Sequence, residues 1–147
     1  MTTTDYKSMY NDYWNQEKRI GRSSYDMDKL LNIIMREINP NSVCDIGCGE
    51  GSLISKFINN GIKATGIDIS ETVVTRAINN FGPHFQVGSI LNIPFSDNSF
   101  NCSISTDCLE HLSPGDISQA VSELIRVSNS YIFIQVATTL DYEKNGT

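Results

Sequence analysis

A doubly wound α/β sheet, parallel strands with helices on both faces, is the fold class this sequence predicts, and three observations predict it. Short apolar, β-branched runs alternate five times with helical patterns, as helical crossovers between parallel strands require. The unusual residues then fall at strand carboxyl ends, where such sheets bind ligands: Asp45 with its glycines, Asp68, Gly88-Ser89 and Thr106-Asp107. A length of 147 residues, with 39% hydrophobic and 19% charged residues, suits one domain with one core.

The elements follow in order. Tyr6, Met9, Tyr10, Tyr13 and Trp14 recur at the i, i+3, i+4 spacing of one helix face within residues 5–22. That face either packs on the domain or closes over a ligand. Residues 18–22 read as a loop. From Ser24, a possible N-cap, to Ile38 the stripe Met27, Leu30, Leu31, Ile34, Met35 predicts a second helix, ended by Asn39-Pro40. The run Val43-Cys44-Asp45-Ile46 is a short buried strand. Gly47, Gly49 and Gly51 follow at every second position, which lets a ligand approach the main chain. A helix over 52–60 carries Leu53, Ile54, Phe57 and Ile58, and Asn59-Asn60-Gly61 stops it. A second strand, 62–69, ends in Asp68, and Ser70 caps a helix over 71–81 with Val73, Val74, Ala77 and Ile78 inward.

Gly82-Pro83 breaks that helix, and 84–88 is a short third strand. After a loop over 89–98, residues 100–105 form a fourth strand. Ser113-Pro114-Gly115-Asp116 then reads as a helix start, with serine as cap and proline at the first position. The last strand is 131–136. This divides the chain into an N-terminal helical segment (1–39), a core (40–136) and a polar tail (137–147).

Charge and cysteines bound the function. Eleven basic against seventeen acidic residues give a net charge of −6, which argues against a general nucleic-acid or anionic-membrane surface. No apolar run approaches the ~20 residues of a membrane span, and no export signal precedes the first helix. Cys44, Cys48, Cys102 and Cys108 are therefore expected as reduced thiols in the cytoplasm. They contain no Cys-x-x-Cys pair, and His84 and His111 do not supply a second ligand pair, so no metal is expected. The carboxylate Asp45 at a buried strand end asks for a ligand with a polar or cationic part. The dinucleotide fingerprint G-x-G-x-x-G needs glycine at 52, where Ser52 stands, and no Gly-Lys-Ser/Thr follows to make a P-loop.

The stretch Val43-Cys44-Asp45-Ile46-Gly47-Cys48-Gly49-Glu50-Gly51 resembles motif I of the class I S-adenosylmethionine (SAM)-dependent methyltransferases. Gly66-Ile67-Asp68-Ile69-Ser70 resembles their second-strand motif. Ile93-Pro94-Phe95-Ser96-Asp97-Asn98-Ser99-Phe100 and Leu109-Glu110-His111-Leu112 resemble the fourth-strand pattern of the small-molecule ("type 11") branch.

The resemblance implies a Rossmann-like sheet in the order 3-2-1-4-5 and transfer of a methyl group to a small-molecule acceptor by in-line displacement. It implies that Gly47, Cys48 and Gly49 lie against the cofactor. Asp45 would sit near its methionine end and Asp68 on the ribose hydroxyls. Ile69 would pack on the adenine face, with Ser89 and Ile90 at its edge, and Thr106 would meet the methionine moiety. Arg22 is a candidate for the cofactor carboxylate, and His111 or Glu110 for a general base. Ser89 replaces an acid, and Asn101 an aspartate, found in many relatives. The family usually continues beyond a fifth strand, so an alternative expectation is a SAM-binding domain that is inactive alone and needs a partner chain or a missing C-terminal region for acceptor binding.

Overall fold

The computed structural model describes residues 1–16 and 26–137. Five parallel strands form one sheet in the order β3-β2-β1-β4-β5. They are β1 (Ser42–Ile46), β2 (Lys63–Asp68), β3 (Phe85–Val87), β4 (Phe100–Thr106) and β5 (Ser128–Gln135). The helices are α1 (Thr3–Trp14), α2 (Met27–Glu37), α3 (Ser52–Asn59), α4 (Glu71–Phe81) and α5 (Ile117–Val127). The strand order expected from the sequence is the one observed. The chain lays β1 to β3 outward in one direction and returns to place β4 on the other side of β1. The order thus reverses at β1, and the crevice at its carboxyl end is where a ligand is expected.

β1 is central: four of its five residues are buried, and Val43, Cys44 and Ile46 are apolar. Val43 pairs with Ala64 of β2 and Cys102 of β4. Side chains alternate across the sheet, so successive residues of β1 feed two separate cores. Val43 joins Leu31 and Ile34 of α2, Ile54 and Phe57 of α3 and Ala77 of α4. Cys44 and Ile46 join Leu124 and Val127 of α5, Ile93 and the Tyr6 ring of α1. By the same alternation Asp45 shares the face of Val43.

The predicted elements are all present, with corrected ends. Helix α2 is capped by Asp26, whose carboxylate accepts from the N–H groups of Asp28 and Lys29 at 3.1 Å; Ser24 lies outside the described residues, as do Lys18, Arg22 and most of the C-terminal tail. Ser70 does cap α4. Ile78, expected inward, is 38% exposed, because Val73, Val74 and Ala77 already fill the narrow contact with the sheet. α5 begins at Ile117 rather than at Pro114. Ser113 and Asp116 instead bind the hydroxyl of Tyr6 at 3.1 and 2.8 Å, so both polar side chains are committed to α1. β5 starts at Ser128, directly from α5 and three residues earlier than its apolar run suggests. No described helix is long and apolar enough to cross a membrane.

Candidate functional site

The turn after β1 is braced before any ligand contact is considered. The N–H groups of Gly47 and Cys48 both donate to the carbonyl of Ile67 at 2.8 and 2.9 Å, tying the turn to β2. Gly47 has φ +81°, and a Cβ there would sit 2.9 Å from the Cys108 sulfur. Gly51, at φ +85°, opens α3 and faces the Phe85 ring, which a Cβ would meet at 2.5 Å. Both positions therefore need glycine for conformation and for space.

The N–H of Gly49 donates to Asp68 Oδ2 at 3.1 Å, and that of Ser70 to Oδ1 at 3.0 Å. Each oxygen keeps further acceptor capacity, and the carboxylate lines the cavity above the turn. The carbonyl of Asp68 in turn accepts from Gly88 N at 2.9 Å, which draws the end of β3 to the same place.

These strand ends wall a cavity of about 290 Å³, near the lower end of the range for small-ligand pockets. Its floor is Ile46, Gly47, Gly49, Asp68 and Ile69; one side is Ser89, Ile90 and Leu91, and the other is Asp107, Cys108, His111 and Leu112. α1 roofs it with Tyr6, Met9, Tyr10, Tyr13 and Trp14. The roof is pinned by the Tyr6 hydroxyl, by Ser70 Oγ donating to Asn11 Oδ1 at 2.7 Å, and by the Lys7–Glu71 ion pair. Tyr10 meets Tyr13 and His111 edge-on, with centroids 6.1 and 6.3 Å apart. Packing on the domain and closing over the site are thus one and the same contact for this helix.

The electrostatics follow from burial. Asp45 is 2% exposed, and its Oδ1 has no hydrogen-bond partner. Desolvation, reinforced by the charge of Asp68, raises its pKa to about 7. Desolvation also raises Asp68, against the pull of its backbone donors. Cys108 is pushed up to about 12, first by burial and then by Asp68, and Cys48 is raised for the same reasons. Neither is a reactive thiolate. No cluster of metal-ligating side chains occurs among the described residues.

The sequence-predicted residues divide accordingly. Gly47, Gly49, Asp68, Ile69, Ser89, Ile90 and His111 meet around the cavity. Asp45, Cys48 and Thr106 are not among its lining. Cys48 turns toward Gly66 of β2, and Thr106 is paired with Gln135 in the sheet. Glu110 is exposed and accepts from the N–H of Ala137 at 3.0 Å. Arg22 lies outside the described residues. Met9 lines the cavity with the rest of the helix face expected to pack or to close over a ligand. Leu91, Cys108 and Leu112 were not foreseen as wall, being placed by loop and turn geometry that has no periodicity to read.

The glycine turn and the Asp68 carboxylate, which line the cavity together, fit a ligand with hydroxyl groups. The model of a family described as a methyltransferase domain matches residues 43–130. Norajmaline N-methyltransferase of Rauvolfia serpentina is 31% identical over 97 residues, which are 60% of this chain and 32% of that enzyme. O-methyltransferase resE of Aspergillus sclerotiorum is 28% identical over 93 residues, 58% of this chain and 34% of that one. The chain spans about a third of the length of these relatives. Magnesium protoporphyrin IX methyltransferase of Synechocystis PCC 6803, solved with bound SAM, shares the fold at a TM-score of 0.69 and 22% identity, over 88% of this chain and 73% of that one.

Proposed function

We propose, given that this chain belongs to the methyltransferase domain family, that it binds SAM in the cavity under α1 and passes the methyl group to a small-molecule acceptor. The observation that carries this is the meeting of the Gly47–Gly49 turn and the Asp68 carboxylate on one cavity, joined by the Gly49–Asp68 hydrogen bond at 3.1 Å. Two relatives are named for N- and O-methylation.

The bound sulfonium supplies an already activated methyl group, so the protein's task is alignment and exclusion of water. Asp68 accepts from a vicinal diol, and each oxygen is aimed by the backbone donor it already holds. The Gly47–Gly49 backbone admits the ligand without side-chain interference. Ser89 and Ile90 meet the base, and Ile69 packs on its face. Tyr10, Tyr13 and Trp14 shut out water from above. His111 is the described imidazole that lines the cavity, and it is the proton acceptor we assign for a hydroxyl or amine acceptor; Glu110 is the weaker candidate because it is not among the cavity lining and already accepts from Ala137 N.

The helical segment 1–39 serves as roof, the core 40–136 as donor site, and 137–147 as tail. Four free cysteines fit a reducing compartment, and we place the protein in the cytoplasm. Calorimetry with S-adenosylhomocysteine, followed by methyl transfer from labelled SAM across an acceptor panel, tests the reading. Asp68→Asn is expected to weaken binding by roughly 10- to 100-fold, the worth of one or two charge-assisted hydrogen bonds. Binding of neither SAM nor S-adenosylhomocysteine overturns the reading. Binding without turnover supports a donor-binding domain that needs a partner chain for its acceptor.

A further inference from the structure

Helix α5 spends a whole polar stripe on one neighbouring segment. Gln119, Glu123 and Arg126 lie four and three residues apart, on one helical face. Gln119 Nε2 donates to the carbonyl of Leu91 at 2.6 Å. Glu123 Oε2 accepts from the N–H of Ile93 at 2.6 Å. Arg126 donates from Nη2 to the carbonyl of Ile93 at 2.8 Å, and from Nη1 to the carbonyl of Phe95 at 2.7 Å and to Asp97 Oδ1 at 3.1 Å. Its remaining N–H groups go to Glu123, from Nε at 2.7 Å and from Nη2 at 2.8 Å. All five guanidinium protons are used. The Arg126 carbonyl also accepts from Asn98 N at 2.8 Å.

This is far more than a surface ion pair needs, and the arrangement explains the stretch from Ile93 to Asn98. That stretch offers two carbonyls and a carboxylate to a planar fork, in a geometry a lysine point charge cannot reproduce. The clamped segment continues directly into the cavity wall. Leu91 N donates to Ser89 Oγ at 3.1 Å, Pro94 packs against Gly88, and Ser89, Ile90 and Leu91 face the ligand space.

We infer that Arg126, with Glu123 and Gln119, is a positioning residue that holds the Ser89–Leu91 wall at a fixed distance from the donor's base and thereby sets its selectivity for adenine. The inference rests on the reading of the cavity as a SAM site. Adenine presents an amino donor where hypoxanthine presents a carbonyl acceptor. A wall held within about 0.5 Å distinguishes the two, and a loosened wall adjusts to either.

The test compares the affinity of S-adenosylhomocysteine with that of its inosine counterpart, by calorimetry, on the full chain. The variants are Arg126→Lys, Gln119→Ala, which spares the ionic cluster, and Arg36→Gln, which removes an exposed Arg36–Glu37 pair on α2 as control. The adenine preference is expected to fall about fivefold or more in Arg126→Lys and in Gln119→Ala, on the order of one hydrogen bond, and to persist in Arg36→Gln. Equal weakening toward both ligands, with the ratio intact, overturns the inference, because general destabilisation produces that pattern. A wild-type protein that binds both ligands equally overturns it too. A wild-type protein that binds neither overturns the reading of the cavity instead.

Discussion

Asp45 is the costliest side chain in the central strand. It sits among apolar neighbours with one oxygen unpaired, and its raised pKa, about 7 against 3.8, has a consequence for stability. Between those values the folded chain holds a proton that the unfolded chain has released. The stability this site contributes is therefore full below about pH 4 and is lost as the pH rises to about 7. Asp45→Asn should flatten that part of the pH–stability curve, by an amount on the order of a few kcal/mol. Denaturant titrations at pH 4.5 and 7.5 measure it. A residual slope of the same sign belongs to Asp68, which burial also raises. If the variant shows the full wild-type slope, Asp45 is not the group that titrates. At this scale the sequence was informative wherever chemistry was exceptional. An acid closing an apolar strand marks Asp45 and Asp68 without any structure. Nothing in the sequence distinguishes Asp68, which faces the cavity, from Asp45, which shares the Val43 face one strand away, because that depends on how two strand ends are staggered.

Among the elements, the turn from β1 to α3 tolerates least. A methyl group at Gly51 meets the Phe85 ring at 2.5 Å and carries φ +85°. Gly51→Ala should cost about 2–4 kcal/mol, lowering the thermal midpoint by roughly 10 °C for a chain of this size. Gly61→Ala, where a methyl group would meet nothing within 4 Å despite a φ of +77°, isolates the backbone component and should cost about 1 kcal/mol. Equal losses at the two sites would remove the Phe85 contact from the explanation. Element identity was legible from periodicity and caps, as with Ser70 and the stripe of α2. Element ends were not legible where side chains serve distant partners. Ser113 has every property of a cap, and it binds Tyr6 from a helix 107 residues earlier in the chain. A local rule cannot see that competition.

For the molecule as a whole, a parallel sheet with helices on both faces was legible from the alternation of strands and helices, and its strand order from the resemblance of the glycine-turn stretch to motif I. The open edge was not. Among the described residues β5 pairs only with β4 and exposes Tyr131, Ile132 and Ile134, with Val136 just beyond it. From Ser128 to Ala137 there is no charge and no proline, two of the devices that protect an edge strand. Self-association of the isolated chain should therefore rise with concentration, and Ile132→Lys should suppress it with little change in thermal midpoint. Light scattering across a concentration series reads both. If the variant associates as strongly as the parent, contacts elsewhere drive the assembly.

The roof of the cavity also dictates timing. The glycine turn is already tied to Ile67, so the floor needs no rearrangement to receive a ligand. α1 is pinned over that floor through Tyr6, Asn11 and Lys7. Ligand exchange is therefore expected to be gated by lifting of this helix. Association rates should level off at high ligand concentration instead of climbing linearly, and the plateau is the opening rate of one helix. Trp14, the single tryptophan of the chain, stands over Gly49 and makes that clock visible in its own fluorescence.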